Sequence, residues 1–244
     1  MLTFLNDSNL GLDPERDPWN EVLPALGIET ISTIDLPELD RSVAEHEPDI
    51  VFMPIADFHR VLASGDRHYR GFAMVKSKFT GSTNLPSVLV VCKDDPATCL
   101  AELKGAAFGY INRACTSSYY APAILLHRLG TSLIDFFDLR PTAPWQGQID
   151  AVISGEVRAT MVPEDVWRST ASNGERTKIV GRYDEATGAI IVVRNGLDAG
   201  VLHRLLDAAV AWKPERDAIF GGFKPFTDAA VATFFRDLDL LPGI

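Results

Sequence analysis

Short apolar runs alternate with segments of helical periodicity along most of the chain. Uninterrupted apolar runs are typical of strands buried on both faces, and helical segments between them are typical of α/β units. The apolar runs lie at 2–5, 29–33, 49–54, 87–92, 106–111, 132–137, 158–163, 177–181 and 189–194. Helical periodicity covers 17–26, 36–46, 55–64, 96–103, 118–129, 146–155, 163–170, 198–212 and 227–238. The pattern predicts an α/β fold with mainly parallel sheets flanked by helices.

Two polar loops interrupt this alternation, each between long extended stretches. They lie at 79–85 and at 183–187. We interpret both as hinge crossovers at which the chain passes from one lobe to another and back. The first lobe would then comprise 1–78 and 188–244, and the second lobe 86–182.

Three consecutive hydroxyl residues mark the stretch 112–122, NRACTSSYYAP. Thr116, Ser117 and Ser118 stand where an apolar strand ends and a helix begins, and Tyr119 follows them. The N–H groups and hydroxyls at a helix N-terminus bind anions without help from Lys or Arg. A single hydroxyl would be enough to cap the helix. An anion site and a plain helix cap both remain open at this point.

Other strand ends offer further candidates, because ligands of open parallel sheets bind beyond the carboxyl ends of strands. Asn6 and Ser8 follow the first apolar run, and the N–H groups of Ile55 and Ala56 follow the third. Each of these is also explained as a polar turn or a helix start. Trp145 precedes a predicted helix and could either stack on a ligand or pack in the interior.

The acidic balance of the chain argues against nucleic acid as a partner. The sequence has 33 acidic and 23 basic residues, a net charge of −10, and no cluster of Lys or Arg. Its three cysteines, Cys92, Cys99 and Cys115, lack metal-like spacing, and a disulfide between Cys92 and Cys99 stays open. We therefore predict neither a cofactor nor a metal.

Enzyme and membrane signals are missing from the sequence. It contains no G-x-S-x-G, P-loop or H-E-x-x-H motif, and its five histidines are scattered, so we predict no catalytic residue. No run of 18 apolar residues predicts a membrane span. The first residues lack the basic and apolar regions of a signal peptide. We expect a cytoplasmic protein if the chain is complete as written, and a periplasmic or cell-surface one if a leader was removed.

Four segments resemble, in order, the phosphonate/phosphite/phosphate-type substrate-binding proteins of ABC importers, which have the type-2 periplasmic-binding fold. They are DIVFMPIADFHRVL, SVLVVCKDDPATCLAELKGAAFGYINRACTSSYYAPAILLHRLG, AVISGEVRATMV and GFKPFTDAAVATFFRDL. The resemblance runs from about residue 49 to the end of the sequence. It implies two lobes that close on a small anionic ligand, and an ABC transporter permease as a partner.

The resemblance also assigns roles to residues. The family holds the phosphoryl group with the hydroxyl run, which corresponds to Thr116, Ser117 and Ser118 here. Trp145 and Arg158 stand where the family often has His and Asp. We expect a solute-binding protein for a phosphonate- or phosphate-like oxyanion. The alternatives are a cytoplasmic enzyme of the same fold, acting on a small aromatic or heterocyclic carboxylate, and a ligand-sensing module.

Overall fold

The structure is a computed structural model, and it describes residues 2–6, 27–31, 43, 47–65, 67–213 and 220–242. The described strands are β1 Leu2–Asn6, β2 Ile28–Ile31, β3 Ile50–Pro54, β4 Tyr69–Val75, β5 Ser87–Cys92, β6 Ala107–Tyr110, β7 Asp138–Pro141, β8 Ala159–Pro163, β9 Thr177–Tyr183, β10 Ala189–Arg194 and β11 Phe223–Pro225. The helix predicted at 17–26 lies outside the described residues, as does all but residue 43 of the one predicted at 36–46.

Two of the described helices directly follow a strand without a loop. The bounds of all the described helices are α1 Ile55–Ala63, α2 Ala121–Arg128, α3 Leu133–Phe136, α4 Gln146–Ser154, α5 Glu164–Ser169, α6 Ala171–Arg176, α7 Ala199–Ala211 and α8 Asp228–Asp239. A 3-10 turn covers Leu100–Leu103, and a π-helical turn at Thr116–Tyr120 leads directly into α2. Pro54 and Pro163 each end a strand and immediately precede a helix, α1 and α5. Proline suits such a junction because its fixed φ fits the extended residue before a helix.

The chain forms two compact units. The first comprises Met1–Thr83 and Gly188–Ala230, and the second Asn84–Thr187 and Val231–Ile244. The sequence placed 188–244 wholly in the first lobe, whereas the structure groups 231–244 with the second unit. The chain therefore changes unit three times, and the third change falls inside α8.

A buried polar contact attaches α8 to the second unit. The carboxylate of Asp237, 8% exposed, accepts a 2.6 Å hydrogen bond from the hydroxyl of Tyr183 and pairs with Arg128 at 2.8 Å. The Phe234 ring packs 6.2 Å from the Tyr183 ring. Amphipathic periodicity predicts that α8 has an apolar face, but it does not say which sheet that face covers.

The sheet of the first unit has six strands in the order β11-β4-β10-β3-β1-β2. Strand β1 is parallel to β2 and β3, whereas β10 is antiparallel to both β3 and β4, and β11 is antiparallel to β4. The strands β3 and β10 at its centre are almost entirely buried. They form the core of this unit with α1, whose first five residues are also buried.

The sheet of the second unit has five strands in the order β7-β6-β8-β5-β9. Strand β6 is parallel to β7 and β8, and β5 is antiparallel to β8 and β9. Both sheets are thus mixed, and the prediction of mainly parallel sheets was wrong. An apolar run reports burial on both faces, and an antiparallel central strand such as β5 or β10 is buried in the same way as a parallel one.

The Tyr183 hydroxyl makes the stability of the protein sensitive to alkaline pH. Burial of the ring and the hydrogen bond to Asp237 raise the pKa of Tyr183 above its usual value. Below about pH 10 the phenol is neutral in both states, so its contribution is complete. Above that pH the unfolded chain ionises first, and the free energy of unfolding falls by up to about 1.4 kcal/mol per pH unit.

We therefore expect Tyr183→Phe to cost about 1 kcal/mol of unfolding free energy at pH 8 because one hydrogen bond is lost. That deficit should shrink or reverse at pH 11, because the phenylalanine variant has no proton to lose at this position. Urea unfolding of both proteins at the two pH values measures the difference. An equal deficit at both would show that the Tyr183 hydroxyl does not titrate differently in the two states.

Candidate functional site

The carboxyl ends of three parallel strands lie along one edge of the second unit's sheet. Strands β6, β7 and β8 run parallel, with Tyr110 opposite Pro141 and Gly109 opposite Thr160. The π-helical turn follows β6 at this edge, and the segment containing Trp145 follows β7. The structure thus brings the predicted hydroxyl run and Trp145 to the same edge, where ligands of open α/β sheets bind.

Within the π-helical turn, Ser118 has a structural part in holding the strand end. Its side chain is fully buried, and its Oγ accepts a 3.1 Å hydrogen bond from the N–H of Ile111, just beyond β6. Its own N–H donates to the Sγ of Cys115 at 3.4 Å. The plain cap predicted for this helix start is therefore supplied by the thiol of Cys115, whose Sγ also lies 3.5 Å from the hydroxyl of the buried Ser117.

The first two residues of the turn present unused donors. The N–H groups of Tyr119 and Tyr120 both donate to the carbonyl oxygen of Cys115, at 3.0 and 3.2 Å. Within the described part of the chain, the N–H groups of Thr116 and Ser117 make no hydrogen bond to other residues, and neither does the Thr116 hydroxyl. Unpaired N–H groups at the positive end of a helix attract an anion.

Trp145 has a strained backbone at the start of α4. Its φ of 56° and ψ of −109° place it in a region that few residues other than glycine occupy. Such strain costs on the order of 1–3 kcal/mol and is found at ligand sites more than elsewhere. Gln146, in the first turn of α4, forms two side-chain hydrogen bonds with the buried Asn173. Its Nε2 donates to the Oδ1 of Asn173 at 2.9 Å, and its Oε1 accepts from the Nδ2 of Asn173 at 3.1 Å.

Gln148, which we did not predict as a site residue, lies in the first turn of α4 and is fully buried. Its Nε2 donates to the Oγ1 of Thr160 at 2.9 Å and to the carbonyl oxygen of Gly109 at 3.4 Å. The Thr160 hydroxyl donates to the same carbonyl at 2.8 Å. Among the residues that the structure describes, the Oε1 of Gln148 has no hydrogen-bond partner. A glutamine in an amphipathic helix gives no sequence signal for such a position.

Arg158, the other departure from the family pattern, lies away from this edge. It precedes β8, and its guanidinium binds both carboxylate oxygens of Asp95, at 2.8 and 3.1 Å. The hydrogen bond from Arg158 lowers the pKa of the Asp95 carboxyl. The basic charge is therefore paired at the amino-terminal end of β8, opposite to the hydroxyl turn.

The predicted residues of the first unit are less well supported. The N–H of Ile55 donates to the carbonyl oxygen of Gly188 at 3.2 Å, so this candidate donor already has a partner within the protein. Ala56 follows it at the fully buried start of α1. Asn6 ends β1 at the same edge of the sheet as Pro54, but its side chain and the whole of Ser8 lie outside the described residues.

Comparison with family models shows the family to which the chain belongs. The model for the ABC transporter, phosphonate, periplasmic substrate-binding protein matches residues 25–232, which is more than half of the chain. The chain belongs to this phosphonate-binding family. The family consists of substrate-binding proteins and not of enzymes, which confirms the predicted class of function and removes the enzyme alternative. No curated relative matches the sequence.

Solved structures of the phosphonate-binding family and its neighbours share the fold. PhnD1 from Prochlorococcus marinus, in complex with methylphosphonate, aligns with a TM-score of 0.73, 15% identity and 98% of each chain covered. XAC2383 from Xanthomonas citri, bound to ATP, gives 0.70 at 18% identity, covering 98% of this chain and 94% of that one. A binding component of an ABC phosphonate transporter from Pseudomonas aeruginosa gives 0.70 at 16% identity, with 100% and 89% covered. At such low sequence identity the structural likeness shows the fold alone, and it confirms the periplasmic-binding architecture.

Other predicted properties concern metals, membranes and thiols. Within the described ranges, no group of three or more His, Cys, Asp or Glu side chains could hold a metal ion. None of the described helices combines the length and the apolar character needed to cross a bilayer. All three cysteines have free thiols, so the disulfide left open between Cys92 and Cys99 is not formed. The Sγ of Cys92 instead contacts the carbonyl oxygen of Val152 at 3.3 Å.

Proposed function

We propose that this member of the phosphonate-binding family binds a small phosphorus oxyanion at the hydroxyl turn of its second unit. The unused N–H groups of Thr116 and Ser117 carry the proposal, because they lie at the positive end of a helix beside two hydroxyls. A tetrahedral oxyanion has several acceptor oxygens, which suit a site with several N–H and O–H donors. The methylphosphonate complex of the Prochlorococcus relative supports the ligand class by analogy of fold.

The turn holds its ligand with neutral donors. Its nearest basic residue in the sequence, Arg113, is exposed. Neutral N–H and O–H donors bind an anion by charge-assisted hydrogen bonds and add no full positive charge to the site. We further propose that delivery is to the permease of an ABC importer, from the periplasm or the cell surface, and that ligand binding closes the two lobes.

A thermal-shift comparison tests the ligand site. The purified protein would be heated with methylphosphonate, inorganic phosphate, sulfate and nitrate. A ligand at 100 times its Kd adds about 2.7 kcal/mol to the free energy of unfolding, which gives a clear rise in melting temperature. We expect that rise with a phosphorus oxyanion, and we expect Ser117→Ala combined with Thr116→Val to weaken binding by roughly 10- to 100-fold, since hydrogen bonds to charged groups are lost.

Thr131→Val provides the matched control for this pair. Thr131 lies beyond the other end of α2 and, like Thr116, is partly buried, whereas Ser117 is buried. We expect it to leave the affinity unchanged within about twofold, since surface changes away from a site have small effects. Equal affinity of the wild type and the double variant for every anion that binds would remove the hydroxyl turn from the site.

A further inference from the structure

Two tyrosine residues border the donors of the hydroxyl turn. Tyr119 belongs to the turn itself, and Tyr110 is the last residue of β6, just before the segment that leads into the turn. Their ring centroids lie 6.2 Å apart, and the ring planes are inclined at 44°. Both residues are partly exposed, so the pair has surface that the folded protein does not cover. We call this pair, Tyr110 and Tyr119, the aromatic wall.

Neighbouring residues hold the aromatic wall in place. The buried Tyr120 packs edge-on against Tyr119, with ring centroids 5.6 Å apart. The N–H of Tyr119 donates to the carbonyl oxygen of Cys115 at 3.0 Å. The carbonyl oxygen of Tyr110 accepts hydrogen bonds from the N–H and the hydroxyl of Thr142, at 2.9 and 3.3 Å. A surface that is ordered before the ligand arrives loses little conformational entropy on binding.

The aromatic wall lies next to the unused donors of the turn. Tyr119 is three residues beyond Thr116 and two beyond Ser117, whose N–H groups have no partner among the described residues. Three residues of helix advance at most about 5 Å along the helix axis. A substituent of a few atoms on an oxyanion that is bound to these N–H groups therefore reaches the wall.

The residues that follow the strand ends at this edge offer little attraction to an ammonium group. The segments after β6 and β7, at 111–120 and 142–145, contain no Asp or Glu. After β8, the carboxylate of Glu164 pairs with Arg182 at 2.8 Å, and Asp165 is buried. A charged group that loses its hydration without an opposite charge is strongly disfavoured. These strand ends thus suit an apolar substituent better than a cationic one.

We propose that the aromatic wall is a subsite for an apolar substituent of the bound oxyanion, and that an aromatic ring fits it best. The inference rests on the proposed function and names the part of the ligand that the phosphorus group does not supply. The N–H groups of Thr116 and Ser117 hold the charged oxygens, while the ring of the ligand packs against the aromatic wall. The ligand is then an organic phosphonate with an aromatic substituent, and neither inorganic phosphate nor an aminoalkyl phosphonate.

Titration calorimetry with four phosphonates tests the chemistry of the ligand. Phenyl-, methyl-, propyl- and 2-aminoethylphosphonate share the phosphorus group and differ in the substituent. We expect phenylphosphonate to bind at least about 10-fold more tightly than methylphosphonate, because the added ring both stacks and buries apolar surface. Propyl- and 2-aminoethylphosphonate are equally long, and we expect the propyl compound to bind at least about threefold more tightly because its substituent carries no charge.

Substitution of Tyr119 tests the part of the protein. In Tyr119→Ala, the preference for phenylphosphonate over methylphosphonate should fall to less than about threefold, because the ring is lost. Tyr119→Phe keeps the ring and removes the hydroxyl, so this variant should retain the preference. Melting curves without ligand report whether each variant is folded.

Phe235→Ala is the matched control for the loss of a ring. Phe235 is partly exposed, like Tyr119, and lies in α8 two residues before Asp237. Asp237 pairs with Arg128 at the far end of α2 from the hydroxyl turn. We therefore expect Phe235→Ala to retain the preference for phenylphosphonate.

The outcomes separate this inference from the proposed function. If neither inorganic phosphate nor any of the four phosphonates binds the wild type, the proposed function fails. If methylphosphonate binds and phenylphosphonate binds no more tightly, the aromatic subsite is overturned while the function stands. An equal loss of preference in Tyr119→Phe and Tyr119→Ala would overturn it as well, because the hydroxyl and not the ring would be responsible. Tighter binding of 2-aminoethylphosphonate than of propylphosphonate would overturn the apolar character of the subsite.

Discussion

Thr116→Asp is expected to abolish anion binding while leaving the fold intact or slightly more stable. Thr116 is the first residue of the π-helical turn, and a carboxylate in the first turn of a helix is favourable by about 0.3–1 kcal/mol. The same carboxylate would occupy the donors that await the ligand. Two unit charges 4 Å apart repel by about 4 kcal/mol at an effective dielectric constant of 20, which corresponds to roughly a thousandfold loss of affinity.

Thr116→Asn is the matched control for this substitution, because asparagine has the same shape as aspartate and no charge. We expect the affinity of Thr116→Asn to stay within about 10-fold of the wild-type affinity. Calorimetry with the anion that produces the largest thermal shift measures both variants. Unchanged affinity of the aspartate variant would place the ligand elsewhere. A lower melting temperature for Thr116→Asp than for Thr116→Asn would contradict the assignment of the turn as a positive helix end.

Asp237→Ala is expected to lower the free energy of unfolding by about 2–3 kcal/mol. Asp237 is the acceptor for the Tyr183 hydroxyl, which lies on a residue only 2% exposed and would lose its partner. An unsatisfied buried donor costs about 1–3 kcal/mol, and the loss of the ion pair adds to it. Arg128, whose side chain is 49% exposed, can turn to solvent, so its share is small.

Asp239→Ala controls for the loss of a negative charge in the same helix. Asp239 is exposed and lies two residues beyond Asp237, and we expect its substitution to cost less than about 1 kcal/mol. Urea unfolding followed by far-ultraviolet circular dichroism measures both variants. Equal costs for the two would show that the Tyr183 hydroxyl finds another partner and that Asp237 does not fix α8.

The sequence predicted most of the elements, because apolar runs and helical periodicity are local properties. The apolar run at 132–137 was wrongly predicted to be a strand, since it forms the helix α3 before β7, and strand β4 was not predicted. It placed the hydroxyl run between the end of a strand and the start of a helix, and in the structure the run begins the π-helical turn Thr116–Tyr120 that leads into α2. The direction of strands was not predictable from the same signal. Strand β10 is as apolar as β3, yet it runs antiparallel to it, because direction depends on where the connecting chain returns.

Contacts between distant segments explain the remaining differences. The N–H of Ile55, a candidate ligand donor, is paired with the carbonyl oxygen of Gly188, which is remote in sequence and lies next to Ile55 only in the folded protein. Gln148 escaped notice because its partners, Gly109 and Thr160, belong to two other strands. A buried orphan acceptor is a property of such assembled surroundings and has no counterpart in periodicity or composition.

The grouping of 231–244 with the second unit sets an order of events during synthesis. The ribosome makes Tyr183 well before the aspartate that accepts its hydroxyl, since 54 residues separate the two. At about 5–20 residues per second, Asp237 follows on the order of 3–10 seconds later. Until then the nascent second unit lacks its last helix and exposes the apolar surface that Phe234 covers. A chaperone that binds exposed apolar surface has that interval in which to act on the growing chain.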